Sequence, residues 1–291
     1  MRELLVIADR EGGQQLAFHH ALEIAKNTGA VIEFVGFVHA AGVDSSEILT
    51  HEEKRKVHHS YIDAKQSVID AFLTSVELSG VKVKTDVVWE KSFERWVISR
   101  CDQKSFDMVF KSGSRTESFL YTPSDWQLMR HCPEPVMIVG DNSWKEGGVI
   151  LAALDLGSSS EKTLNMNEDI LRQAIKLGKS TNSEVHTCYS MAIPKALAEL
   201  DSIDPKAYEL KMKERLDPVV LRLINEAGLD RSRLHLVSGK PDKEICRISD
   251  EINADVVMIG NKTRTSLRGR LMGNTAESVL HKVSADVVVI K

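Results

Sequence analysis

Cysteine is scarce in this chain. Four occur in 291 residues (Cys101, Cys132, Cys188 and Cys246), with no CxxC or Cys-His spacing among them. That speaks against a disulfide framework or a structural zinc site and fits a reducing, cytoplasmic compartment. Aromatic side chains make up only 5% of the residues and the net charge is -4. A nucleic-acid surface would want a basic groove or an aromatic platform, and the composition offers neither. No apolar run approaches the roughly 20 residues of a membrane helix. The short apolar core before Asp9 reads as a first strand rather than a signal peptide. Also missing are a Gly-Lys-Ser/Thr phosphate-loop ending, a nucleophile elbow and a legible acid–base pair, so no catalytic residue is assigned.

What the chain has is strand and helix in alternation. Residues 4–8 are apolar throughout, as a strand buried on both faces requires, and Asp9 stands at their carboxyl end. Leu16, Ala17, Ala21, Leu22 and Ala25 recur at helical spacing. Further strands are predicted over 31–38, 81–88, 106–110 and 136–139, with helices up to Gly80, over 93–101 and over 125–131. Residues 141–148 are polar and turn-rich, and form a linker. The pattern then begins again, with strands over 149–154, 184–189, 234–237, 256–259 and 287–290 and helices over 164–179, 205–227 and 242–251.

The second run is a copy of the first. Asp155 ends its opening strand as Asp9 ends the other, and residues 82–110 lie over 231–259 without a gap. Met129 to Val136 lie over Leu280 to Val287. The chain is therefore an internal duplication, with one domain over 1–140 and a second over 149–291. Strand–helix alternation at this spacing predicts two tandem doubly wound parallel sheets of five strands each, with helices on both faces.

Residues 255–290 hold the most chemistry. A strand ends at Gly260, and a basic, flexible loop follows with Lys262, Arg264, Arg268 and Arg270. Gly273-Asn274-Thr275 then opens a helix. The first backbone N–H groups of a helix lack intrahelical partners, so this arrangement suits an anion. A plain turn and N-cap with solvated arginines fits the same residues. In the first copy Lys111 replaces Gly260, and Thr122-Pro123-Ser124 replaces Gly273-Asn274-Thr275 after a shorter loop. Proline removes a backbone donor there, so the first copy binds poorly or not at all through its backbone.

These residues resemble the universal stress protein family in its tandem, two-domain form, whose fold is of the adenine nucleotide alpha hydrolase type. Nucleotide-binding members carry Gly, two residues, Gly, nine residues, then Gly and Ser or Thr. Here Gly260 and Gly273 fill the outer positions, Thr263 replaces the middle glycine, and Asn274 precedes Thr275 where a hydroxyl would stand. The Cβ of Thr263 crowds a left-handed backbone or a close phosphate. The resemblance implies a stress-response protein, non-catalytic or at most a slow ATP hydrolase, with ATP or a related adenine nucleotide and Mg²⁺ in its second domain. Asp155 matches the acidic residue that helps hold the nucleotide, or equally caps a turn. Gly239 and Lys240 follow the third strand of that domain, where Lys240 can reach a phosphate. The candidate contacts are thus Asp155, Gly239, Lys240, Gly260, Lys262, Thr263, Arg264, Gly273, Asn274 and Thr275.

The alternative is a ligand other than a nucleotide, or an interaction scaffold of the same fold, with segments 40–56 and 191–200 as lids. In the family the terminal strands pair across a dimer, which a tandem chain can reproduce internally, and a further homodimer and protein partners are expected. Trp89 either fills space where the first domain would receive a ligand or serves a surface or interface. His19-His20, His51 and His58-His59 lack a fixed acidic partner and read as solvent-facing or partly packed rather than metal ligands. The cysteines read as small core residues.

Overall fold

A computed structural model describes residues 1–10, 13–113, 123–140, 144, 147–158, 160–191, 204, 207–208, 210–215, 218, 222, 225, 228–261, 264–266, 269–271 and 273–291. The chain divides into two compact units, Met1–Asp141 and Asn142–Lys291.

The first unit holds β1 (Glu3–Ile7), α1 (Leu16–Thr28), β2 (Val31–Val38), α2 (His51–Ser75), β3 (Val83–Trp89), α3 (Phe93–Gln103), β4 (Met108–Ser112), α4 (Pro123–His131) and β5 (Val136–Val139). The second holds β6 (Val149–Ala153), α5 (Glu161–Thr181), β7 (Glu184–Met191), β8 (Leu234–Ser238), α6 (Pro241–Glu251), β9 (Val256–Gly260), β10 (Arg264–Ser266), β11 (Gly269–Leu271), α7 (Asn274–Lys282) and β12 (Asp286–Ile290). Of the long helix predicted over 205–227, the described residues 207–208, 210–215, 218, 222 and 225 are helical.

Strand order is β3-β2-β1-β4-β5 in the first unit and β8-β7-β6-β9-β12 in the second, the same winding twice. Within each set every neighbouring pair is parallel. The expectation of two separate five-stranded sheets is nevertheless wrong. The ten strands form one sheet, ordered β3-β2-β1-β4-β5-β12-β9-β6-β7-β8. The physical reason lies in the edges: β5 and β12 are buried along their whole length, whereas an open edge strand presents unpaired N–H and C=O groups to water. A second difference falls in the loop read as flexible. Residues 264–266 and 269–271 pair antiparallel, with Arg264 opposite Leu271 and Ser266 opposite Gly269. Two three-residue strands are too short to leave a period-2 signature.

The cores follow from the strand sequences. Leu4, Leu5, Val6, Phe34 and Phe110 are fully buried in the first unit, and Leu151, Ala152, Val257 and Met258 in the second. Phe18 of α1 packs on Phe34 with ring centroids 4.7 Å apart. Helix α2 starts on a capping box, in which Thr50 accepts from the Glu53 N–H and the Glu53 side chain accepts from the Thr50 N–H. Near the amino ends of the first unit's strands Glu33 is 7% exposed. It accepts from Arg100 at 2.7 and 3.0 Å and from Lys104 at 3.0 Å, and Lys104 also reaches Glu3.

Burial pushes the Glu33 carboxyl up, but the hydrogen bonds from Arg100 and Lys104 outweigh it and hold its pKa below 4.5. A depressed carboxylate stabilises the fold above its unfolded pKa, and that contribution is lost as pH falls through the folded value. Glu33→Gln should therefore cost about 2 kcal/mol at neutral pH. In urea titrations the gap from wild type should close as pH drops below 4.5. A gap independent of pH would show that the charge is not what Glu33 contributes.

Candidate functional site

In a doubly wound sheet the crevice opens at the carboxyl ends of the strands where the winding reverses. In the second unit that point lies between β6 and β9, which are direct neighbours. Asp155 follows β6. Its N–H donates to Asn167 Oδ1 at 2.9 Å, and its carbonyl accepts from Asn167 Nδ2 at 2.8 Å. The side-chain amide of a buried residue on α5 thus clamps both backbone groups of Asp155. One carboxylate oxygen accepts from the Gly157 N–H at 3.2 Å, so Asp155 does cap the following turn. Tyr189 of β7 ends close by: a Cβ built on Gly157 would stand 2.5 Å from its hydroxyl. Burial first, then the charge of Asp155 and Tyr208, raises the Tyr189 pKa. Tyr189, Gly157 and Asn167 do not stand out in the sequence. A tyrosine near the end of an apolar strand reads as core, and Asn167 lies twelve residues from its partner.

The two glycines of the family pattern differ in what they do. A Cβ on Gly260 would meet Met166 Cγ and Sδ at 2.8 Å and Ile170 Cδ1 at 3.1 Å. Gly260 is therefore favoured by the approach of α5 to the end of β9. Gly273 is the N-cap of α7 with φ -67° and ψ 140°, a backbone open to any residue, and has no side-chain cap. Among the described residues no atom lies within 4 Å of a Cβ placed there. Thr275, in the first turn of α7, is exposed.

Gly239 has φ +154°, and a Cβ there would meet Glu244 at 2.8 Å. Its N–H donates to Met191 O at 3.0 Å, and its carbonyl accepts from Ser190 Oγ at 3.0 Å. The Ser238-Gly239-Lys240 turn is thereby pinned to the end of β7. Lys240 is exposed and caps α6, whose first residue is Pro241. Arg264 opens β10, and Asn274 is the first residue of α7. Lys262, Thr263, Arg268 and the segment 192–200 lie outside the described residues. The structure thus places Asp155, Gly239, Lys240, Gly260, Gly273 and Thr275 each at a strand's carboxyl end or in the turn or helix start that follows it.

The first unit is built differently at the matching positions. Asp9 exchanges two 2.8 Å hydrogen bonds with Gln15, backbone N–H to side chain in each direction, and its carbonyl accepts from Lys65 Nζ at 2.6 Å. Lys111, which replaces Gly260, is 2.8 Å from Asp125 Oδ1, with Lys111 13% and Asp125 0% exposed. Asp125 belongs to α4, the counterpart of α7. Trp89 stacks on His58 with centroids 3.8 Å apart and donates to Asp44 at 3.1 Å. His58 is bonded to Asp44 at 2.8 Å, His20 is buried, and His51 and His59 are exposed.

Of the cysteines, Cys101 and Cys132 are buried with sulfurs 3.8 Å apart, Cys188 is buried and Cys246 half-buried. Burial pushes the Cys188 thiol up to about 12. No helix of the described residues is long and apolar enough to cross a membrane.

Comparison with known proteins agrees with the doubled winding. Residues 1–140 and 149–291 each match the universal stress protein family, and the chain belongs to it as a tandem of two such domains. It is 26% identical over 296 residues to universal stress protein E of Escherichia coli strain K12, covering 100% of this chain and 94% of that protein. Among solved structures it is similar to a putative universal stress protein from Pseudomonas aeruginosa (TM-score 0.72, 23% identity, 100% and 93% coverage). It is likewise similar to a universal stress protein from Archaeoglobus fulgidus (TM-score 0.65, 18% identity, 99% and 96% coverage).

Two outcomes follow from these geometries. Gly260→Ala should lower stability by about 1–3 kcal/mol through overpacking against α5, whereas Gly273→Ala should cost less than about 1 kcal/mol; equal losses in thermal melts would contradict the packing role of Gly260. Cys188 should resist a thiol reagent in the native protein at about pH 8 and react once urea unfolds it. Rapid native modification, mapped by peptide mass spectrometry, would show that the strand is not closed over it.

Proposed function

We propose that this chain is a non-catalytic stress-response protein whose second domain holds an adenine nucleotide, ATP, while its first domain serves as scaffold. The observation that carries the reading is the contrast between the two helix starts. α7 has Gly273 as its N-cap, with nothing among the described residues crowding a Cβ there, and an N–H on its first residue, Asn274. α4 begins at Pro123, which has no N–H, and sends Asp125 into an ion pair with Lys111. In the first domain a carboxylate of the chain itself stands beside the cation where the second domain would take a phosphate. Free N–H groups at a helix start favour phosphate, and the exposed ammonium of Lys240 adds charge on the same carboxyl side of the strands. Asp155 suits the ribose or base end of the ligand, or a Mg²⁺ carried in on the phosphates. Family membership supports the same assignment through the Gly260 and Gly273 positions. Lys262, Thr263 and Arg264 complete the proposed loop, and action through protein partners or a homodimer is part of the proposal.

The test is native mass spectrometry of the purified chain followed by titration with ATP and Mg²⁺. One nucleotide per chain is expected, and Gly273→Pro should weaken it at least about tenfold by deforming the helix start, the equivalent of losing one charge-assisted hydrogen bond. Failure to bind ATP at millimolar concentration would remove the nucleotide reading, and a lipid-like mass leaving on unfolding would point to the other ligand class.

A further inference from the structure

Away from the β6–β9 crevice, toward the β8 end of the second unit, two histidines meet. Among the described residues β8 is the outermost strand and pairs only with β7, in a register that sets Cys188 opposite His235. His186 stands two residues before Cys188, so it shares that face of the sheet and lies diagonal to His235. Nδ1 of His186 is 3.0 Å from Nε2 of His235. The rings are 16° from parallel, and their centroids are 5.3 Å apart. That separation equals the nitrogen–nitrogen distance plus one ring radius at each end, so both nitrogens lie on the line between ring centres. Two imidazoles chelating a metal would aim their lone pairs at a third point off that line. The arrangement is instead an in-line N–H···N hydrogen bond, in which one ring donates and the other accepts.

Proton counting shows what such a pair tolerates. With no extra proton, or with one, a single hydrogen sits between the facing nitrogens. With two, both facing nitrogens carry hydrogen and both rings carry positive charge, so the bond becomes a repulsion. The surroundings accept the first proton more readily than the second. The far nitrogen of His186 is 3.6 Å from Glu184 Oε2, and Arg233 holds Glu184 from its other oxygen at 2.9 Å. From α6, Glu251 and Arg247 act on His235 with opposite sign, and they are bonded to each other at 2.7 Å.

We propose that His186 and His235 form a proton-sensing clasp between β7 and β8, which holds one shared proton at neutral pH and loosens the edge strand when acid adds a second.

Burial, then His186, depresses the His235 pKa below 6.5, with Glu251 opposing and Arg247 adding a little. For a histidine lowered in this way the unfolded chain binds the proton first. The stability it confers is therefore complete above 6.5 and drains away as pH falls from there through the folded value.

Hydrogen exchange of the full chain at about pH 7.5 and about pH 5.5, corrected for intrinsic rates, tests the clasp within the range where histidine changes charge. Protection of residues 234–238 should fall at least about tenfold relative to residues 256–260 of the same molecule, the effect of one pKa unit. His235→Gln should abolish that difference. Equal protection of β8 at both pH values would overturn the proposal. Imidazole nitrogen shifts of the wild-type protein provide an independent readout should the variant fail to fold. Two separated steps support the shared proton, and two rings titrating together near the ordinary value refute it.

Discussion

A parallel strand buried on both faces leaves polar chemistry no place except its ends. β1, β4, β6 and β9 are such strands, each apolar and closed to water along most of its length. The groups that distinguish this chain stand at or just past their carboxyl termini: Asp9, Lys111, Asp155 and Gly260. The winding order fixes which ends are neighbours, so Asp9 and Lys111 follow one adjacent pair of strands and Asp155 and Gly260 follow the other. Helix packing then decides how much room each end has. α5 comes so close to β9 that a Cβ at position 260 would crowd Met166 and Ile170, while among the described residues nothing crowds a Cβ at Gly273.

The two domains solve the same problem of a polar strand end in different ways. In the first, polar demand is met inside the chain: Gln15 satisfies Asp9, Lys65 ties α2 to the end of β1, and Lys111 and Asp125 neutralise each other out of water. A buried ion pair of this kind is costly to break, because either partner alone would be a desolvated charge. In the second, Asn167 takes the backbone of Asp155 rather than its carboxylate. The internal ion pair has no counterpart, since the positions of Lys111 and Asp125 are Gly260 and Ala276 in the repeat. One domain is electrostatically closed upon itself, and the other presents donors at a helix start.

Much of this is legible in the residues. Apolar strands such as 4–8 and 256–259, the helix periodicity from Leu16, and the gapless match of 82–110 to 231–259 define the winding and its repetition. Asp155 is visible because the strand before it is so apolar, and Gly273 because it follows a basic loop and precedes Asn274-Thr275. What escapes has a common cause, namely contacts between residues far apart in sequence. Nothing in VVVI or VMIV tells a covered strand from an edge, so the single ten-stranded sheet does not follow from them. The reason for Gly260 lies in Met166 and Ile170, about ninety residues upstream. Lys111 reads as a lost glycine, but its carboxylate partner is fourteen residues on, beyond a loop. His186 and His235 are 49 residues apart and meet only because β7 and β8 pair. The β10–β11 pairing is hidden by its brevity.

Gly260 also bears on how a duplicated gene drifts. Because Met166 and Ile170 of α5 crowd that position, helix packing in this domain favours the glycine whether or not a ligand is bound, whereas the first domain carries Lys111 at the matching position. The presence of Gly260 is accounted for by the closeness of a helix to a strand as well as by a phosphate. The chain itself places no such demand on position 273 among the described residues. A domain of this kind that abandons its ligand can thus change position 273 alone, whereas a change at position 260 has to be matched by a shift of Met166 and Ile170.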